Sequence, residues 1–160
     1  MDLIARLKEN PYLAALSPAD LESLAEVAVV RQYADGEVIF REGERADGVH
    51  FVLDGEVAIT RSTSHQVHRA ATLGPGVLFG MVAFLYVAPR SATATATRAS
   101  TVAMIPKEAV GLLLNQSAPI AYQFQRAVAG QLARDLRDSD ARLRELLARA
   151  TRHSPPPAAR

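Results

Sequence analysis

The stretch FGMVAFLYVAPRSATATA, Phe79 to Ala96, lies at the end of a run from Ala70 to Pro89 that carries no charged side chain, and Arg90 is the first charge after it. A membrane-spanning helix needs about 20 consecutive apolar residues. The Gly74-Pro75-Gly76 break leaves too few, so the run reads as buried core. Gly80 falls where an apolar strand should end, and the MVAFLY that follows is long enough for one or two helical turns. Amide groups at a helix start attract anions, a glycine lets a ligand approach the main chain, and a nearby arginine can add paired charged hydrogen bonds. Phosphate is the natural guest of such a corner. The alternative for Arg90 is a surface arginine paired with a neighbouring carboxylate.

Outward from this corner the pattern is one of short strands. From about Val27 to Pro106 the chain gives eight runs rich in Val, Ile, Phe and Thr: VAVVRQYA, EVIFRE, GVHFVLD, EVAITRS, QVHRAATL, VLFG, SATATATR and STVAMIP. Several alternate apolar with polar, as half-buried strands do. Asp54-Gly55 between two of them is a hairpin signal, with Gly55 expected at positive φ. Many short hairpins at this spacing predict a mainly β, jelly-roll-like β-roll.

Helices flank the roll. Ser17 and Pro18 supply a cap and a first-turn proline ahead of Leu21, Leu24 and Val27. KEAVGLLLNQ reads as a short helix after Pro106. Ser117 and Pro119 open a longer one, expected to run to about Ala150. Leu132, Leu136, Ser139, Leu143, Leu146 and Ala150 follow each other by four, three, four, three and four, an a/d seam. Such a seam meets either a partner helix or the chain's own roll. The expected division is a helical lead-in over 1–26, a roll over 27–116 with the anion corner at 79–92, a helix over 117–150 and a disordered tail over 151–160.

The 160 residues, 49% hydrophobic, can bury one good core. The net charge of +1 is too weak to argue for nucleic acid or an acidic membrane. With no cysteine there is no disulfide, thiolate nucleophile or cysteine-based zinc site, and MDLIARLKENPYL lacks the features of a secretion signal. A cytoplasmic protein is expected. Enzyme signatures fail as well: there is no glycine-flanked nucleophilic serine and no Walker-type loop. His65 and His68 fall near a hairpin tip, His50 on a strand and His153 in the tail, so no metal site is expected. Neither is a cofactor.

The quoted stretch resembles the phosphate-binding cassette of the cyclic nucleotide-binding domain, the family of catabolite-activator-type transcription factors, kinase regulatory subunits and cyclic-nucleotide-gated channels. The similarity extends back through LSPADLESLAEVAVVRQYADGEVIFREGERADGVHFVLDGEVAI and forward to the helices, with Gly43, Gly55, Gly76 and Gly80 at the family's turns. It implies that Arg90 binds the cyclic phosphate, that Ser91 and Ala92 line it, and that amides of Gly80, Met81, Val82 and Ala83 complete the nest. It also implies a glutamate after the cassette glycine, accepting from the ribose hydroxyl. Met81 stands there instead, either as core filling or as the mark of altered binding. Ser139 and Asp140 fall where family members offer a hydroxyl to the purine; a register-setting polar residue in the seam accounts for Ser139 equally well.

The resemblance implies a regulatory module for cAMP or cGMP that signals through protein contacts of its last helix. Leu132, Leu136, Leu143 and Leu146 would form that interface with a second copy or another protein. The DNA-binding branch continues into a helix-turn-helix, whereas the sequence stops about ten residues after its long helix, and RDLRDSDARLRE mixes both signs. No nucleic-acid or membrane partner is expected. The alternative is a ligand-free adaptor of the same fold.

Overall fold

The computed structural model describes residues 2–62, 67–82, 88–116 and 118–153. Helix α1 (Leu3–Leu7) is capped by the Asp2 carboxylate accepting from the Ala5 amide. After a 3-10 turn at Leu13–Ala15 comes α2 (Pro18–Val27), where Ser17 accepts from the Asp20 amide at 3.2 Å and Pro18 opens the first turn. Eight strands follow: β1 (Val29–Tyr33), β2 (Val38–Phe40), β3 (Gly48–Asp54), β4 (Val57–Ser62), β5 (Val67–Leu73), β6 (Leu78–Phe79), β7 (Thr93–Ala96) and β8 (Ser100–Pro106). Helices α3 (Lys107–Gln116) and α4 (Ala118–His153) complete the chain. The turn after Asp54 has Gly55 at φ 93°, as the sequence reading expects.

The strands form two four-stranded antiparallel sheets, in the orders β1-β8-β3-β6 and β2-β7-β4-β5. Period-two alternation explains how one strand serves two layers. On β3, Val49, Phe51 and Leu53 point into a cluster with Leu7, Leu13, Leu21 and Leu24 of the N-terminal helices and Phe124 and Val128 of α4. Val52, between them, joins Phe40, Val57, Phe79, Ala94 and Val102. The first cluster glues the helices to one sheet, and the second fills the roll. All of β3 is buried except Asp54, which is why it reads as apolar without interruption.

The long helix does not lie wholly on the roll. Phe124, Ala127 and Val128 are buried in the shared core, and Leu132 is half-buried against it. Beyond that point α4 is exposed on every described residue except Arg134. Arg142 still reaches across to donate from Nη1 to the Ala70 carbonyl on β5, at 2.7 Å. The sequence seam therefore divides. Leu132 belongs to the chain's own packing, a correction to its expected place in the interface, while Leu136, Leu143 and Leu146 stand 71%, 55% and 62% exposed. The expected disordered tail lies outside the described residues from 154 onward.

Candidate functional site

Arg90 arrives at the anion corner from the residues just before β7, and it is buried, with only 2% of its surface exposed. An unpaired charge at that depth would cost several kcal/mol, so its partners decide whether the fold tolerates it. Nη2 donates to Asp47 Oδ1 at 2.6 Å and to the Gly48 carbonyl at 2.9 Å, and Nη1 donates to the Gly80 carbonyl at 2.7 Å. The guanidinium also stacks 4.1 Å from the centre of the Phe40 ring. Asp47 itself is exposed, so the surface arginine of the sequence alternative is replaced by a buried one held from its outer end.

One donor remains. Among the described residues, Arg90 Nε is the single buried side-chain nitrogen or oxygen without a hydrogen-bond partner. Buried donors are almost always satisfied, so an orphan on a cation marks a place where an acceptor belongs. Gly80 sits directly against this group at φ 75°, and a Cβ there would stand 2.5 Å from Arg90 Nη1 and 3.4 Å from His50 Nδ1. Only glycine meets both demands.

Behind Arg90 lies a ring cluster that the sequence reading did not foresee. His50 pairs with Phe79 across β3 and β6, and its ring centre is 5.2 Å from those of Phe40 and Phe79. Nδ1 of His50 is 3.5 Å from Arg90 Nη2. Burial, and then the adjacent Arg90 charge, hold His50 down at about 4, so the ring is neutral at pH 7 and can face the guanidinium without repulsion.

A cavity of about 560 Å³ opens between the roll and α4, within the roughly 300–1,000 Å³ range of small-ligand sites. Of the residues singled out from the sequence, Gly80, Met81, Val82, Arg90, Ser91 and Ala92 line it together, and so does Ser139. Ala83 lies outside the described residues. Asp140 does not line the cavity; it pairs with Arg144 on the exposed side of α4 at 2.8 Å. Met81 is only 3% exposed and packs with the helix-side core as well as edging the cavity. No group of three or more carboxylates and histidines among the described residues could hold a metal.

The helix contributes a wall that sequence reasoning missed. Gln131, Asp135, Asp138 and Arg142 step by four, three and four, so they share one stripe, and all four border the cavity. The buried Gln131 donates to Asp135 at 2.9 Å. Arg61 on β4 edges the cavity from the roll.

Residues 30–117 match the model of the cyclic nucleotide-binding domain. The chain is similar to the cyclic AMP receptor protein of Thermus thermophilus, with 29% identity over 86% of this chain and 62% of that protein. It is also similar to the cAMP-dependent protein kinase type II regulatory subunit of Drosophila melanogaster, with 33% identity over 57% of this chain and 24% of the subunit. It thus spans less than two thirds of the length of either relative. Among solved structures, the catabolite activator protein of Thermus thermophilus superposes with a TM-score of 0.72 at 29% identity, covering 87% of this chain and 63% of the other. A cyclic nucleotide-binding domain from Methylobacillus flagellatus, at 18% identity, shares the fold with a TM-score of 0.80 over 88% of this chain and 79% of its own. The family match covers more than half of the chain and includes β3, Gly80 and Arg90: the chain belongs to the cyclic nucleotide-binding domain family.

Proposed function

We propose that this chain is a cytoplasmic regulatory module that takes a cyclic nucleotide, cAMP or cGMP, into the cavity between the roll and α4 and signals through protein contacts of that helix. The observation that carries the reading is the buried, unpartnered Nε of Arg90 at the cavity wall. A cyclic phosphate there accepts from Nε while Gly80, Val82, Ser91 and Ala92 surround it. The phosphate adds a second anion to a guanidinium whose only charged partner, among the described residues, is the exposed Asp47. The ribose then falls toward Met81 and the base toward α4. A ligand that touches both roll and helix favours the arrangement in which they are apposed, a population shift that changes what Leu136, Leu143 and Leu146 can meet. The partner of that face is a second copy or another protein.

A second reading, a ligand-free adaptor, draws on Met81. Its burial in the core leaves no carboxylate for the ribose. Calorimetric titration of the purified chain with cAMP and with cGMP decides between them. Saturable binding of one nucleotide per chain supports the sensor. Arg90→Lys, which keeps the charge and loses the Nε donor, should weaken that binding about tenfold, the share of one charged hydrogen bond. Binding of neither nucleotide to the folded protein would leave the adaptor.

A further inference from the structure

The corner around Arg90 is one-sided in its chemistry. Phe40, Leu78, Phe79, Met81 and Ala92 line the cavity beside the guanidinium, all apolar and each less than a tenth exposed. The Gly80 carbonyl already receives Arg90 Nη1 at 2.7 Å. Ser91 and Thr72 bring hydroxyls to the roll side of the cavity, but both residues are exposed, so any bond they offer competes with water. Among the described residues, the roll side of the cavity therefore holds a buried donor without a partner, Arg90 Nε, and no buried side-chain oxygen.

Met81 sets much of this character. It follows Gly80 directly, is 3% exposed, and packs with Leu78 in the helix-side core while edging the cavity. Its thioether is at most a weak acceptor. A cyclic phosphate closes a ring on one sugar, so a hydroxyl on the carbon beside the ester stays within a few bonds of the phosphorus. Once the phosphate accepts from Arg90 Nε, that hydroxyl must enter the same corner. There it leaves water and meets apolar surface, which penalises a hydroxyl without a partner and suits a hydrogen in its place. Asp135 and Asp138 do not relieve the penalty, because they stand on α4, across the cavity.

Resting on the cyclic-nucleotide reading above, we infer that Met81 turns the site against a free hydroxyl next to the phosphate, so that the preferred ligand is a cyclic phosphate ester without one: a 2′-deoxyribose cyclic nucleotide. Arg90 supplies the attraction for the phosphate, and the apolar corner decides which sugar comes with it. The selection acts at the sugar, so it holds equally for an adenine and a guanine base.

The test is calorimetric titration of the full chain with cAMP, cGMP and their 2′-deoxy counterparts, repeated on Met81→Gln and Met81→Leu. Glutamine is close to methionine in length and brings an amide oxygen as acceptor, whereas leucine keeps the position apolar. On the wild type, each deoxy ligand should bind about tenfold more tightly than its ribose counterpart, the effect of one buried hydroxyl left without a partner. In Met81→Gln that preference should vanish or invert through a gain in affinity for the ribose ligands, and in Met81→Leu it should persist. A wild type that binds the ribose ligands as tightly as the deoxy ones, or more tightly, overturns the inference and leaves the cyclic-nucleotide reading standing. An undiminished deoxy preference in folded Met81→Gln overturns it too, since Met81 would then not be its source. Binding of none of the four ligands overturns both readings. The wild-type ratio decides by itself should Met81→Gln fail to fold.

Discussion

The ring of Tyr12 fills the space that a side chain at position 130 would take. A Cβ built on Gly130 collides with the Tyr12 ring carbons and hydroxyl, and Arg134 covers the ring from the next turn of α4. A glycine inside a helix costs about 1 kcal/mol relative to alanine, so here close packing outweighs propensity. The Tyr12 turn is also anchored to the loop between β5 and β6. The buried Asn10 donates to the Gly76 carbonyl at 3.0 Å and accepts from the amides of Tyr12 and Leu13.

Gly130→Ala should therefore destabilise the protein by about 1–2 kcal/mol, the cost of overpacking, despite the better helix former. In a Tyr12→Ala background the same change should stabilise by up to about 1 kcal/mol. Urea denaturation of the four proteins of this cycle gives the coupling. Additive effects would show that the ring and the glycine do not meet in solution.

His50 makes stability depend on pH in a defined window. The unfolded chain takes up its proton near the ordinary histidine value of 6.5, whereas the folded chain resists until about 4. Stability present above pH 6.5 is lost as pH falls toward 4, by up to about 1.4 kcal/mol per pH unit. His50→Phe keeps a ring between Phe40 and Phe79 and removes the proton site, so its slope between pH 6.5 and 5 should be shallower. Denaturation curves at pH 7, 6 and 5 check this. Equal slopes in both proteins would assign the loss to other groups.

Met81→Glu introduces a carboxylate at a position 3% exposed, and the ligand-free protein should lose about 1–3 kcal/mol of stability. With the cavity edge within reach, the new acceptor should raise nucleotide affinity about ten- to a hundredfold through one charged hydrogen bond. Melting curves with and without cAMP and cGMP report both effects together. A variant that melts lower and gains no ligand-dependent rise speaks for the adaptor.

Leu136 and Leu143 form an apolar stripe that water now covers. Sedimentation of the wild type should show a dimer, and Leu136→Glu with Leu143→Glu should give a monomer of unchanged melting temperature, since neither side chain is buried in the chain itself. A monomeric wild type would assign the stripe to a different protein.

The strands were legible because alternation and turn glycines are local signals, and all eight apolar runs became strands. The cassette side of the cavity was legible for a similar reason: Gly80, Met81, Val82, Arg90, Ser91 and Ala92 lie close in sequence. Asp47 and His50 were not, because strand pairing brings them to Arg90 from about forty positions away. The helix wall was missed for another reason. The leucines dominated the periodicity, while the four-three-four spacing of Gln131, Asp135, Asp138 and Arg142 runs beside them on the same helix. Ser139 and Asp140, both implied by the resemblance, are adjacent helical positions about 100° apart, and of the two only Ser139 reaches the cavity.

With 36 residues at about 1.5 Å each, α4 is a rod of about 54 Å, far longer than the cavity it borders. Measured from the Tyr12 seat at Gly130, its end at His153 lies about 35 Å away. A tilt of about ten degrees at that seat carries the far end sideways through about 6 Å. The rod is a lever arm with its fulcrum at a glycine. A sideways shift of about an ångström at Asp135, beside the cavity, becomes about 4 Å at Leu146 and about 6 Å at His153.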